Sequence, residues 1–298
     1  MTDRTGEHLA RDSQAAALMA VLDLEERDTD LFVGQTPTTP LQRIFGGQVA
    51  GQALMAATRT LPEERGVHSL HSYFLRPGDP HEEIRYAVDR IRDGRTFSTR
   101  RVIGWQRRKG ADVAIFALTA DASIPETPVA EHALPMPDVP RPDELPSLAE
   151  VVAPYGDRAA VALSISQAVE QRLLEDPFEP APKTPPNTKT WAWMRVAGRL
   201  PEEQAVHRSA LTFVSDLTLL SAGLARLGGG WGGSYVGASL DHAVWFHQPV
   251  RADDWFLYET DSPAASGGRA LCFGQIWAVD GTHVATVTQQ GLIRSLER

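Results

Sequence analysis

A carboxylate in the middle of an apolar helical run is the residue best placed to do chemistry in this chain. The stretch Ser209-Ala210-Leu211-Thr212-Phe213-Val214-Ser215-Asp216-Leu217-Thr218-Leu219-Leu220-Ser221-Ala222-Gly223-Leu224 is apolar nearly all round, as a helix enclosed by a sheet should be. Asp216 is not an N-cap there, so it must find partners or bear the cost of desolvation, which raises a carboxyl pKa toward the range of a general base. Two readings stand: a functional acid or base, or a hydrogen bond across a helix–helix contact. A second candidate is the run Phe45-Gly46-Gly47-Gln48-Val49-Ala50-Gly51-Gln52-Ala53-Leu54-Met55-Ala56-Ala57, whose three glycines each weaken a helix by nearly ~1 kcal/mol relative to alanine. Such a helix needs close backbone approach, either to a sheet curved around it or to a ligand at its N-terminus, where free N–H groups favour anions.

Other motifs are weaker. His68 could serve as a base or a substrate contact. The pairs His68/His71 and His242/His247 lie on predicted strands without a Cys or carboxylate set at ligand spacing, so no metal is expected. Gly228-Gly229-Gly230-Trp231-Gly232-Gly233 formally contains GxGxxG, but the order is helix, loop, strand, the reverse of the dinucleotide fingerprint. Cys272, between Leu271 and Phe273, reads as a small core residue. Gly78-Asp79-Pro80-His81 has a faint likeness to an enoyl-CoA hydratase signature, but its place after Pro77 makes it a turn.

The elements that must position these residues repeat. Ser239-Leu240-Asp241-His242-Ala243-Val244-Trp245-Phe246-His247-Gln248-Pro249 reads as one strand with a buried face, and Ser69-Leu70-His71-Ser72-Tyr73-Phe74-Leu75-Arg76-Pro77 echoes it. Downstream, Ala111 to Ala120 matches Thr282 to Gln290, each after a hairpin turn, Lys109-Gly110 or Asp280-Gly281. Ser98 to Gln106 matches Ala270 to Val279 in the same way. A small-residue helical stretch precedes each first strand, Gly46 to Leu61 and Arg208 to Leu227. The expectation is a helix, a long strand and an antiparallel meander, twice over.

Gln14 to Leu24 reads as a short amphipathic helix, Asp30 to Val33 as a short strand, and Thr36-Pro37-Thr38-Thr39-Pro40 as a turn. Thirteen of the twenty-one prolines lie between Ala122 and Pro186, which marks the join between the halves. Pro125 to Pro146 should be extended and largely sheet-free. Ala159 to Leu174 is helical by pattern, although a strand near Ala168 to Leu173 would better open a second half; periodicity leaves both open. Lys189 to Val196, with Trp191 and Trp193, is a strand. The division is an N-terminal half at 1–122, a proline-rich linker at 123–165 and a C-terminal half at 166–298.

At 298 residues, 42% hydrophobic and 22% charged, the chain suits two globular units and not a disordered or membrane-spanning one. A net charge of −9 argues against non-specific nucleic-acid binding. One cysteine, no spanning apolar run, no signal-peptide core and a C-terminus unlike Ser-Lys-Leu make the cytoplasm the expected compartment and no membrane association the expectation.

Four motifs in order resemble the acyl-CoA thioesterase II family: Phe45 to Leu54, His68-Ser69-Leu70-His71-Ser72-Tyr73-Phe74-Leu75-Arg76-Pro77-Gly78-Asp79, Asp241 to His247, and Gln290-Gly291-Leu292-Ile293-Arg294. The resemblance runs from about Leu22 to Arg294 and is weakest in the proline-rich middle. It implies an α+β double hotdog, two antiparallel sheets each wrapped around a long helix. It also implies hydrolysis of fatty acyl-CoA to free acid and CoA without metal or redox cofactor, and assembly into a homo-oligomer, dimer or tetramer. Carried over by motif, the family's catalytic Asp falls on Asp216, its Gln on Gln289 and its Thr on Ser239, where serine keeps the hydroxyl but loses the methyl that stiffens χ1. In the expected chemistry Asp216 takes a proton from water, Ser239 and Gln289 hold that water, and N–H groups around Gly46 and Gly47 bind the oxyanion. Ser239 as an acylated nucleophile lacks a His–acid partner. The competing readings are a hotdog enoyl-CoA hydratase or dehydratase, and a non-catalytic acyl-CoA-binding protein.

Overall fold

In a computed structural model that describes residues 4–37, 42–179, 189–230 and 233–296, the chain folds around one continuous sheet. The N-terminal part runs α1 (Arg4–Leu22), β1 (Glu25–Asp28), β2 (Leu31–Gly34), α2 (Gly46–Arg59), β3 (Gly66–Phe74), β4 (Ile84–Asp93), β5 (Phe97–Arg108) and β6 (Ala111–Ser123). Two short helices, α3 (Leu148–Val152) and α4 (Asp157–Ile165), follow. The C-terminal part runs β7 (Val169–Leu173), β8 (Thr190–Val196), α5 (Gln204–Ser215), α6 (Leu219–Ala225), β9 (Tyr235–Ser239), β10 (Asp241–Phe246), β11 (Phe256–Ser266), β12 (Arg269–Ala278) and β13 (His283–Ser295).

Strand order makes the duplication explicit. One half of the sheet reads β1-β2-β4-β5-β6-β3 and the other, from its far edge, β7-β8-β11-β12-β13-β10, so each half follows the same path. The halves join where β3 pairs antiparallel with β10, Leu70 opposite Val244 and His71 opposite Ala243. The two echoing runs of the sequence therefore pair with each other. This is the double hotdog architecture: α2 and α5 lie together on one face of the sheet, with Ala50, Ala53, Leu54, Ala210, Leu211 and Val214 fully buried between helices and strands.

Glycines set the distance between the helices. A Cβ on Gly47 would stand 2.3 Å from the Phe213 carbonyl oxygen, and one on Gly51 would stand 2.9 Å from that of Ser209. The close approach at these two glycines is thus to the backbone of the other helix, running antiparallel, while strands β2 to β6 pack along the rest of α2. The N-terminus of α2 meets the C-terminus of α5.

Several expected elements come out differently. The helix expected from Arg208 to Leu227 begins earlier, at Gln204, and is broken between Ser215 and Leu219. The Ser215 carbonyl, which would have continued the helix, instead accepts a hydrogen bond from the Tyr258 hydroxyl at 2.9 Å, and the Ser215 hydroxyl turns back to donate to the Thr212 carbonyl at 3.0 Å. The single strand expected from Ser239 to Pro249 is interrupted at Leu240. Ser239 lies opposite Gly291 and Ala243 opposite Thr288, so the strand holds one residue more than its partner, a bulge. β3 carries the same excess at His68, between Val67 opposite Ala122 and Ser69 opposite Asp121. The 159–174 segment is both of its alternatives in turn, α4 and then β7.

The proline-rich connector is free of sheet, as its composition requires, with one turn of 3-10 helix at Pro142–Glu144. It lies on the C-terminal sheet, where the Trp193 indole N–H donates to the Pro140 carbonyl at 2.8 Å and the Trp277 indole N–H donates to that of Leu134 at 3.0 Å. Met136, Val139 and Leu145 pack on the Trp193–Leu257–Trp277 cluster. Thr38 to Pro40 of the expected early turn, the prolines from 180 to 186, Trp231-Gly232 and the two terminal ends lie outside the described residues.

Candidate active site

The break after α5 turns one side chain out of the helix pair. Asp216 is the C-cap residue of α5, with φ −85° and ψ −8°, so it stands at the end of a helix and not inside one as the pattern suggested. Its carboxylate collects donors from three elements. The Gln289 amide on β13 donates through Nε2 to Oδ1 at 2.5 Å, and the Ser239 hydroxyl at the end of β9 donates to the same oxygen at 3.2 Å. The backbone N–H of Gly47, in the first turn of α2, is the third donor. Gly46 lies beside it: a Cβ there would stand 2.7 Å from Asp216 Oδ2 and 2.8 Å from the Phe74 ring. A carboxylate at the N-terminus of one helix is favoured by that helix's dipole, and only glycine leaves room for it here.

Electrostatics set the carboxyl for proton transfer. Burial pushes Asp216 from 3.8 up to about 6, against the lowering pull of the bonds from Gln289, Ser239 and Gly47 and of the Arg43 charge. Arg43, in the segment leading into α2, is exposed and donates through Nη2 to the Gly237 carbonyl of β9 at 3.1 Å. A group with a pKa near neutrality, with two of its donors on one oxygen and Gly46 close against the other, can take a proton from a water and return it.

His242 joins the cluster although no spacing in the sequence pointed to it. It is fully buried on β10, with Nε2 2.9 Å from the Ser215 hydroxyl and Nδ1 3.3 Å from Gln289 Nε2. Burial lowers its pKa to about 4, so the ring is neutral near pH 7. Its visible signal was a polar residue in a repeated strand, weighed above only as half of the His242/His247 pair for a metal. Tyr258 carries no local signal, because its hydroxyl reaches Ser215 from 43 residues away.

His68 is not brought to this cluster. It occupies the β3 bulge, its Nε2 3.2 Å from Asp121 Oδ2 and its ring edge-on to Phe97. The neighbouring Gly66 lies against Arg208, two turns along α5 from Asp216, roughly 12 Å at ~1.5 Å per residue. That is the opposite end of the helix pair, where Arg100, 1% exposed, bonds through Nε to the Thr60 hydroxyl at 2.8 Å and through Nη2 to the Thr60 carbonyl at 3.0 Å. Cys272 is buried, and burial pushes its thiol up to about 11, which fits a core residue and not a nucleophile. The glycine run has α6 before it and β9 after it, as its expected order required.

An apolar cleft opens beside the helix break. Thr218, Leu224, Tyr258, Ala192, Trp191 and Leu173 line it, between α6 and strands β7, β8 and β11.

Comparison with known proteins places these residues in company. The description "Acyl-CoA thioesterase N-terminal domain" matches residues 35–123, and "Acyl-CoA thioesterase C-terminal domain" matches residues 135–293. The chain is 37% identical over 294 residues to acyl-coenzyme A thioesterase 8 of Homo sapiens, an alignment that covers 95% of this chain and 90% of the human protein. It is 34% identical over 290 residues to acyl-CoA thioesterase 2 of Haemophilus influenzae, covering 94% of this chain and 98% of that one. Among solved structures, the acyl-CoA thioesterase II TesB2 of Mycobacterium marinum superimposes with a TM-score of 0.76 at 37% identity, over 94% of this chain and 99% of that chain.

Proposed function

The chain belongs to the acyl-CoA thioesterase family, and from that premise we propose that its site hydrolyses fatty acyl-CoA to free acid and CoA by attack of a water that Asp216 deprotonates. One observation carries the reading: a carboxyl with its pKa raised to about 6 stands within hydrogen bonds of Ser239, Gln289 and the Gly47 N–H. Oδ1 takes the bonds from Ser239 and Gln289, and the water is assigned to Oδ2, the oxygen that faces Gly46. Gln289 Oε1 is buried without a hydrogen-bond partner among the described residues and can accept the water's other proton. Water held by both protons turns its lone pair outward, toward the thioester carbonyl.

The steps balance. Water oxygen bonds to the carbonyl carbon as its proton passes to Asp216, and the carbonyl becomes an oxyanion. N–H groups of the first turn of α2, around Gly46, are the donors for that oxyanion, while the Gly47 N–H is engaged with Asp216; losing one such donor typically costs roughly 3–4 kcal/mol. The oxyanion collapses, the carbon–sulfur bond breaks, and the CoA thiolate takes the proton back from Asp216. The cleft beside Thr218 suits the acyl chain because Leu173, Ala192 and Leu224 offer it apolar surface.

The same reading divides the chain into halves at 1–122 and 166–298 joined by 123–165. It puts the enzyme in the cytoplasm, which the single cysteine supports. It also makes it a homo-oligomer, supported by the exposed Tyr73 and Leu75 at the junction of the halves. The test of function is free-thiol release from acyl-CoAs of graded chain length by wild type, Asp216→Asn, Ser239→Ala and Gln289→Ala. Release by wild type and its loss in Asp216→Asn are expected. An enoyl-CoA substrate that loses its double bond without freeing thiol would replace the reading with a hydratase.

A further inference from the structure

Gln289 is useful to the proposed reaction only one way round. With Nε2 toward Asp216, its Oε1 remains to accept from water; turned over, it would set a carbonyl oxygen against the carboxylate oxygen, at the 2.5 Å now spanned by a hydrogen bond. We propose that His242 is the positioning residue that holds the Gln289 amide in the productive orientation. The inference rests on Gln289 holding the reacting water, and its argument is one of proton count along a chain of buried groups.

The chain starts at a backbone carbonyl. The Thr212 carbonyl can only accept, so the single hydroxyl proton of Ser215 goes to it, at 3.0 Å. Toward His242 the Ser215 oxygen must then accept, so the proton of the neutral imidazole sits on Nε2, at 2.9 Å. Nδ1 is left bare, and the group 3.3 Å from it has to be a donor, the Gln289 amide nitrogen. The second N–H of that amide goes to Asp216 Oδ1. Both acceptors thus demand nitrogen at the same corner of the side chain, and the carbonyl is pointed away from each. The break in the helix lies beside the device, where Tyr258 takes the Ser215 carbonyl. His242 and Ser215 are essentially inaccessible to solvent, so bulk water does not enter the bonds between them.

Two measurements test the proposal. Two-bond proton–nitrogen NMR of histidine-labelled wild type, with the His242 signal assigned by its loss in His242→Asn, should find the proton on Nε2 and Nδ1 bare. A proton on Nδ1 overturns the proposal whatever the enzyme's activity, so its failure is separate from a failure of wild type to release thiol. In turnover, His242→Phe should lower kcat by about tenfold to a hundredfold while KM stays within about twofold, as expected when a bond that orients a catalytic group is lost. His242→Asn, whose amide oxygen falls near the place of Nδ1, should recover most of that loss. In a Gln289→Ala background the His242→Phe change should cost less than about a further twofold, because the residue it acts through is gone. An undiminished loss in that background, or no recovery with Asn, would assign His242 a packing role alone.

Discussion

Replacing Asp216 by Asn should abolish turnover and, at neutral pH, make the protein more stable. The carboxyl pKa rises from 3.8 to about 6 on folding because burial disfavours the charge. The folded state therefore holds the proton more tightly than the unfolded chain, and ionising Asp216 costs stability. That cost is absent below pH about 3.8, grows as pH rises through the interval and is complete above about 6. The difference corresponds to about 3 kcal/mol at ~1.36 kcal/mol per pKa unit. Asp216 retains some solvent exposure, and Asn offers one acceptor oxygen where three donors converge, which returns roughly 1–1.5 kcal/mol. The expected net gain for Asp216→Asn is about 1–2 kcal/mol at pH 7.5 and close to none at pH 5, where only about half of the ionisation cost is present and the lost bonds offset it. Urea unfolding followed by tryptophan fluorescence at both pH values measures it, alongside thiol release. Turnover should fall by about a hundredfold to ten-thousandfold, the usual contribution of a general base. A variant less stable than wild type at pH 7.5, or one equally shifted at pH 5, would refute the burial argument; one that keeps a tenth of wild-type kcat would remove Asp216 from the reaction.

The wild-type rate should fall below a midpoint near pH 6, by about tenfold per unit, since the base must be ionised to act. Ser239→Ala should move that midpoint upward, because the hydroxyl is one of the bonds that lower the Asp216 pKa; a midpoint that stays or falls on steady-state pH profiles would contradict the geometry. Gly47→Ala sets a methyl 2.3 Å from the Phe213 carbonyl and should cost about 3 kcal/mol by forcing the helices apart, seen as a lowered urea midpoint with activity lost in parallel. Unchanged stability there would mean that the helix contact is looser than described.

What the chain discloses by itself is the periodic part. The Ser-Leu…Pro echoes, the hairpin turns and the glycine-rich helix all carry local signals. Lys109 and Gly110, for instance, both sit at positive φ, as that hairpin turn requires. β4 escaped because its outer half, Asp89 to Asp93, is exposed and charged, with Asp89 paired to Arg101, Arg90 to Asp30 and Asp93 to Arg100, which ends the alternation. β11 escaped because its bulge, next to Pro263, interrupts the pattern. The helix break is invisible locally: Ser215 to Thr218 hold neither glycine nor proline, and the Ser215 carbonyl that a continued helix would use goes to a tyrosine hydroxyl 43 residues away. His242 acquires its role only where β10, β13 and the end of α5 converge, and the docking of the connector on Trp193 and Trp277 depends on a surface that exists after folding.

Arg100 on the Thr60 carbonyl has a consequence for counting. Two unfused copies related by symmetry would present the same constellation at both ends of their helix pair. Here one end receives an acid and the other a guanidinium that seals it, so active-site titration should return a stoichiometry of one per polypeptide, never two. Severing the chain between the halves would leave neither fragment competent, because the Gly47 N–H that meets the acid and the acid itself are inherited from different ancestral copies.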